Sequence, residues 1–345
     1  MVFFWFFCCK LPPCFSNRWY TYQTEHFEII YKPAHAHLVK HIAVASEEAF
    51  GVLADLFDYH PTEKIIINTY DFSDYGAAGT TTLPQNYIRL QIGPLELGYE
   101  VMPFTDRFQW LINHELVHVI VNDKANSVEA FSRKLFSKVP PENVQPLTIA
   151  YSLVTNHDRF TPRWHQEGIA VFLETWLSGG YGRVLGNFDE MYFRALTAEN
   201  RSISDLQYLD AKESYTSFLV ETLFYLYGSR FCTYLAVRYS PEKLLAWYTP
   251  DDRDWFRTYA QKFKKIFGIG LDEAWRAFGE SEKAFQQSNL ARLRSAPFTP
   301  VRPLTRTALG WVTSAYPDST GQFLFFGNHQ PHHLTAINRF SLRSD

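Results

Sequence analysis

"NHELVHVIVND", residues 113–123, sets two histidines four positions apart, with a glutamate after the first, inside an apolar run. Reading outward, no Gly or Pro occurs between Arg107 and Asn122. Phe108, Ile112, Leu116 and Val119 recur at helical spacing while Leu111, Val117 and Val121 fill the other faces, which predicts a helix buried nearly all round. The run is too long for a strand. On such a helix His114 and His118 project from successive turns of one face, and Glu115 is rotated by about 100° from His114. Burying two imidazoles and a carboxylate is costly unless something pairs with them. A zinc ion would do so. Histidines with no metal are the alternative, and only a third ligand separates the two readings.

"TPRWHQEGIAVFLETW", residues 161–176, supplies a candidate. Thr161 can cap a helix and Pro162 suits its first turn, so a helix beginning here brings Glu167 round on its second turn. Gly168 and Ala170 are small, which would let this helix approach the first closely enough for Glu167 to share the metal. His165, two residues away, is the alternative ligand. An ordinary solvated helix acid is the competing reading of Glu167. Three protein ligands leave one position open, the arrangement of catalytic rather than structural zinc. Glu174, seven residues after Glu167 and nearly on the same helical face, could orient His118 from behind or be an exposed acid.

Further outward, "HFEIIYK" (26–32) alternates like a strand, Ala36 to Phe57 follow a helical pattern, and "KIIINTY" (64–70) reads as a buried strand. "DYGAAGTTTLPQ" reads as a loop, and in "NYIRLQIG" Ile88, Leu90 and Ile92 alternate with Tyr87, Arg89 and Gln91 as in a half-buried strand. From residue 107 to about Phe285 nearly every segment reads as helix, so strands precede helices and the expected fold class is α+β. The 33 basic and 36 acidic residues provide no broad electrostatic footprint for nucleic acid, which is set aside as a partner. Aromatic residues reach 17%, a density that points to a thick core.

Cys8, Cys9 and Cys14 crowd the start and only Cys232 lies in the body, so neither a disulfide framework nor a CxxC zinc pattern can be assembled. The apolar octet Val2 to Cys9 is too short to span a bilayer and lacks the basic flank and small-residue cleavage site of an export signal. Residues 1–20 are taken as a signal-like leader through which the chain could associate with a membrane. Residues 21–285 are expected to form one domain with a sheet-containing half (21–124) and a helical half (125–285), and 286–303 are taken as a linker on the prolines of "SAPFTPVRPLTRTALG". Residues 304–345 read as a β-rich tail, in which His329, His332 and His333 form a polar loop rather than a metal site.

"HELVH" followed by "WHQEGIAVF" resembles the gluzincin metallopeptidases, and within them the bacterial peptidase MA-like domain, where an aspartate often ends the first helix as Asp123 does here. The resemblance spans roughly Thr21 to Phe285. It implies His114, His118 and Glu167 as zinc ligands, Glu115 as general base, and a peptide or protein as substrate. It further implies Tyr215, in "ESYTSFLVETLFYLYG", as donor to the developing oxyanion, and "NYIRLQIG" as an edge strand that binds extended substrate. The 48 residues between His118 and Glu167 exceed the spacing of the aminopeptidases, and no GAMEN-like exopeptidase segment is visible. An endopeptidase of the cell envelope or periplasm is therefore expected, or a cytoplasmic one if the leader is not an export signal. A catalytically silent zincin-like module that binds proteins is the alternative. The tail is similar to the first blade of a TolB-like propeller, and "ETWLSGGYGRVLGNFDEMYFRAL" is similar to members joined to one. Oligomeric state is not legible.

Overall fold

The computed structural model describes residues 18–71, 77–93, 106–209, 220–254, 257–297 and 299–342, the last apart from 308, 313, 330–333 and 335. Most of the expected leader, together with Tyr215, His332 and His333, lies outside the described residues. Among these residues no helix is long and apolar enough to cross a membrane.

The first layer is a mixed sheet. Strands β1 (Tyr20–Gln23), β2 (Phe27–Tyr31), β3 (Ile65–Tyr70), β4 (Ala78–Thr81) and β5 (Tyr87–Gln91) lie in the order β1-β2-β3-β5-β4. The β2-β3-β5 core is parallel and both outer pairings are antiparallel. Strict alternation in β2, β3 and β5 sends Phe27, Ile29, Ile65, Ile67, Ile88 and Leu90 to one fully buried face. Helix α1 (Ala36–Phe57) makes the parallel crossover between β2 and β3 and covers that face with Ile42 and Leu53.

Two expectations about this sheet change. The stretch read as a loop contains β4, whose pairing with β5 runs from Ala78 opposite Leu90 to Thr81 opposite Tyr87. That pairing makes β5 an interior strand, and the edge on that side is β4. Alternation identified β5 as half-buried, but no local signal says which strand has a neighbour on both sides.

Helix α2 (Arg107–Asp123) is the predicted histidine helix, capped by Asp106 Oδ1 accepting from the Gln109 backbone N–H at 2.8 Å. It is buried on nearly every face and packs between α1, the edge strand β4 and α5 (Arg163–Leu177). Between α2 and α5 come α3 (Ser127–Phe136) and α4 (Pro146–Thr155), and after them a 3₁₀ turn at His157–Phe160. The helical half continues with α6 (Asn187–Ala198), the single turn α7 (Leu206–Leu209), α8 (Val220–Arg238), α9 (Pro241–Tyr248), α10 (Tyr259–Phe267) and α11 (Leu271–Arg294). Its core is aromatic: the buried Trp164 ring lies 6.0–6.3 Å from those of Phe231, Trp247, Tyr259 and Trp275.

A mixed sheet preceding most of the helices makes the fold mixed, α+β at the coarse level, as the sequence predicts. Helix α11 runs to Arg294, so the first part of the expected linker is helical. Beyond it β6 (Trp311–Val312), β7 (Tyr316–Pro317), β8 (Phe323–His329) and β9 (Ala336–Ser341) form a four-stranded antiparallel sheet in the tail that the sequence marks as β-rich.

Candidate metal centre

Helix α2 presents His114 and His118 one turn apart, and α5 brings Glu167 to meet them. His114 Nε2 and His118 Nε2 each lie 3.1 Å from Glu167 Oε2 and 3.2 Å from each other. These three residues are the one set of His, Cys, Asp or Glu side chains among the described residues whose donor atoms converge closely enough to hold a metal ion. A tetrahedral ion bound to N and O at about 2.0–2.1 Å separates its ligand atoms by about 3.3 Å. The donor triangle has nearly that edge, so the site fits a small tetrahedral cation.

The tautomer agrees with this fit. His114 Nδ1 lies 2.7 Å from Glu174 Oε2 and 2.8 Å from Arg183 Nη2; with Nδ1–H donating to the carboxylate, Nε2 would present a lone pair to a metal ion in the triangle. Glu174 therefore orients His114. The sequence assigned it to His118; a seven-residue interval identifies the helix face but not which of two stacked imidazoles that face meets.

Glu174 is itself held by a residue that the sequence reading missed. Arg183 donates through Nε to Oε1 at 2.8 Å and through Nη2 to Oε2 at 2.7 Å, all within the interior. Its guanidinium also lies 5.0 Å from the Trp110 ring centre and 4.8 Å from that of Tyr225. Arg183 sits in an irregular turn with no periodicity to mark it.

Charges in the cluster respond to one another. Burial pushes His114 toward its neutral form and the Arg183 charge adds to this, but hydrogen bonds to Glu167 and Glu174 prevail and raise it to about 9. Burial opposes ionisation of Glu167, yet the charge of His118 and the two imidazole hydrogen bonds hold its carboxyl well below the usual range. Burial likewise opposes ionisation of Glu174, and Arg183 overcomes it, leaving that group at about 2.

Glu115 stands beside the triangle and supplies none of its three donor atoms. It is buried, and burial raises its carboxyl above the ordinary glutamate value although both imidazoles pull the other way. Glu115, the triangle, Tyr225 and the edge strand residues Ala78–Thr81 line one cleft of about 400 Å³. Tyr225 comes from α8, in the same segment as Tyr215 and ten residues later. Its hydroxyl is raised by burial and then by the Glu167 charge, so it stays protonated in a side chain that lines the cleft. Gly228, three residues on and hence near the same helical face, is the signal that could have singled it out.

Two further expectations are corrected at α5. Thr161 does not cap the helix: Pro162 occupies the N-cap position with no side-chain cap. Gly168 is small for the sake of α8 rather than α2, since a Cβ there would lie 2.8 Å from the Gly228 carbonyl carbon. His165, the alternative ligand, is directed into the aromatic core, stacked on Tyr248 at 4.1 Å and edge-on to Trp247 at 4.5 Å between ring centres. Compared with known protein families the chain matches no family model, and no curated protein is significantly similar to it.

Proposed function

We propose that the chain is a zinc-dependent peptidase, a hydrolase that uses a glutamate general base, and that it acts as an endopeptidase. The observation that carries this reading is the donor triangle of His114, His118 and Glu167 with a buried, non-ligating Glu115 at its side. When bound, zinc would acidify water and polarise a substrate carbonyl. Glu115 accepts the proton of the attacking water and returns it to the leaving amine, a role suited to a carboxyl raised by burial. Tyr225 donates a hydrogen bond to the oxygen on which charge develops. The backbone of β4, rather than that of β5, pairs with an extended peptide and holds it across the cleft.

The test is metal analysis combined with cleavage of a broad peptide library. About one zinc per chain is expected, lost in His118→Ala. Glu115→Gln keeps the shape of the side chain but cannot take the proton, so it should retain zinc and lose turnover by about 10²–10⁴-fold. Metal-replete protein without stoichiometric zinc, or a Glu115→Gln variant as fast as wild type, would overturn the reading.

A further inference from the structure

The cleft wall contains a cation, Arg159, that meets no counter-charge among the described residues. Arg159 lies in the 3₁₀ turn His157–Phe160, just before α5, and its side chain lines the cleft that holds the metal centre. The turn is pinned from both sides: Arg159 N–H donates to the Asn156 carbonyl at 3.2 Å, and Gln166 Nε2 donates to the Arg159 carbonyl at 2.9 Å. The guanidinium makes one hydrogen bond among the described residues, Nη1 to Thr81 Oγ1 at 3.3 Å. That hydroxyl is already engaged with Leu83, donating to its carbonyl at 3.1 Å and accepting from its N–H at 3.2 Å.

Other arginines in the interior are compensated differently. Arg133 faces Asp123 at 3.6 Å, Arg183 forks onto Glu174 at 2.7 Å, and Arg230 meets Glu282 at 3.0 Å. Arg159 is half-buried, and burial acts on it with no carboxylate among the described residues to offset the effect. Among the described residues lining the cleft the only acids are Glu115 and Glu167, and both belong to the centre itself. Arg163 is the other arginine of the lining, its guanidinium 4.0 Å from the Phe224 ring centre, and Asn122, Gln166 and Thr80–Thr82 are neutral.

Position supplies the rest of the argument. Thr81 is the last residue of the edge strand β4, so its bond to Arg159 fixes the guanidinium at one end of the strand along which a peptide would lie. A five-donor planar cation, tethered by one arm and facing a cleft, is shaped to take a carboxylate through the others. We propose that Arg159 is a carboxylate anchor for the substrate: the cleft selects peptides with an anionic group, from an acidic side chain or a free C-terminus, within a few residues of the bond at the metal centre. This selection rests on the peptidase reading of the cleft, but the anchor itself can be measured without turnover.

The experiment uses fluorescence anisotropy with the full chain carrying Glu115→Gln, both metal-loaded and after chelation. Three peptides of one sequence are compared: one with an internal Glu and an amidated C-terminus, its Gln counterpart with an amidated C-terminus, and the Gln peptide with a free C-terminus. At least one anionic peptide should bind about 10-fold or more tighter than the neutral one, the scale of a lost charge-assisted hydrogen bond, and the arm that does so identifies the source of the carboxylate. Adding Arg159→Gln should bring all three within about 2-fold, and Arg159→Lys should restore part of the preference. If circular dichroism shows the glutamine variant to be unfolded, Arg159→Met, which keeps the packing of the stem, takes its place. Equal affinity of the three peptides for the arginine-bearing protein, or a preference that survives loss of the arginine in a folded variant, overturns the proposal. Failure of the peptidase reading looks different: no cleavage of any peptide by the metal-loaded protein with Glu115 intact, with the Arg159-dependent preference in binding unchanged.

Discussion

Single side chains divide into those that a helical wheel reveals and those that it cannot. His114, His118, Glu115 and Glu167 were legible because each sits on an unbroken amphipathic or buried helix, where spacing alone determines direction. Arg183 was not, because it reaches the site from an irregular turn, and Glu174 was legible as a supporting residue but matched to the wrong imidazole. That pairing has a measurable consequence. Glu174→Ala removes the acceptor for His114 Nδ1–H and strands Arg183 in the interior, so zinc affinity should fall by about 10–100-fold, while His118 and Glu167 still converge. Competition with a chromogenic chelator would measure this; wild-type affinity in a folded variant would mean that His114 needs no such support.

At the scale of elements, the site depends on how closely α5 and α8 cross. A Cβ on Gly228 would lie 2.2 Å from the Trp164 carbonyl oxygen, so backbone meets backbone with no side chain between. Gly228→Ala should cost about 1–3 kcal/mol through overpacking and should displace Tyr225 from the cleft. Gly51, in the middle of α1 and exposed, is the control: a Cβ there meets nothing within 4 Å, so Gly51→Ala should stabilise by up to about 1 kcal/mol. Urea denaturation of both variants tests the pair, and similar effects in the two would remove the crossing from the argument. The small residues were visible in the sequence, but their partner was not, since neither glycine says which helix it admits. β4 was missed for a related reason. Its "AGTT" has little strand character of its own, and the pairing with β5 that makes it a strand is settled outside its own sequence.

For the whole molecule, the buried hydrophobic cluster runs from Phe27 to Phe278 and draws on no residue of the C-terminal sheet. A chain ending at Arg294 should therefore bind zinc as the full chain does and melt within a few degrees of it; a large drop in melting temperature would show that the tail supports the body. The fold class was legible because strand and helix periodicities fall largely in separate stretches, and the division of the body into halves at residue 124 was drawn from that same change of pattern. Asp123, at the end of α2, accepts from Tyr59 Oη at 2.9 Å and Asn86 Nδ2 at 2.9 Å, and pairs with Lys138 Nζ at 2.6 Å. Two of these partners precede it and one follows, with Arg133 on that later side as well. A nascent chain leaving the ribosome thus exposes its sheet, α1 and α2 while the carboxylate at their junction still lacks its cations. The first half cannot be completed until Lys138 has emerged, and any fragment cut at the apparent boundary would inherit an interior charge with nothing to neutralise it.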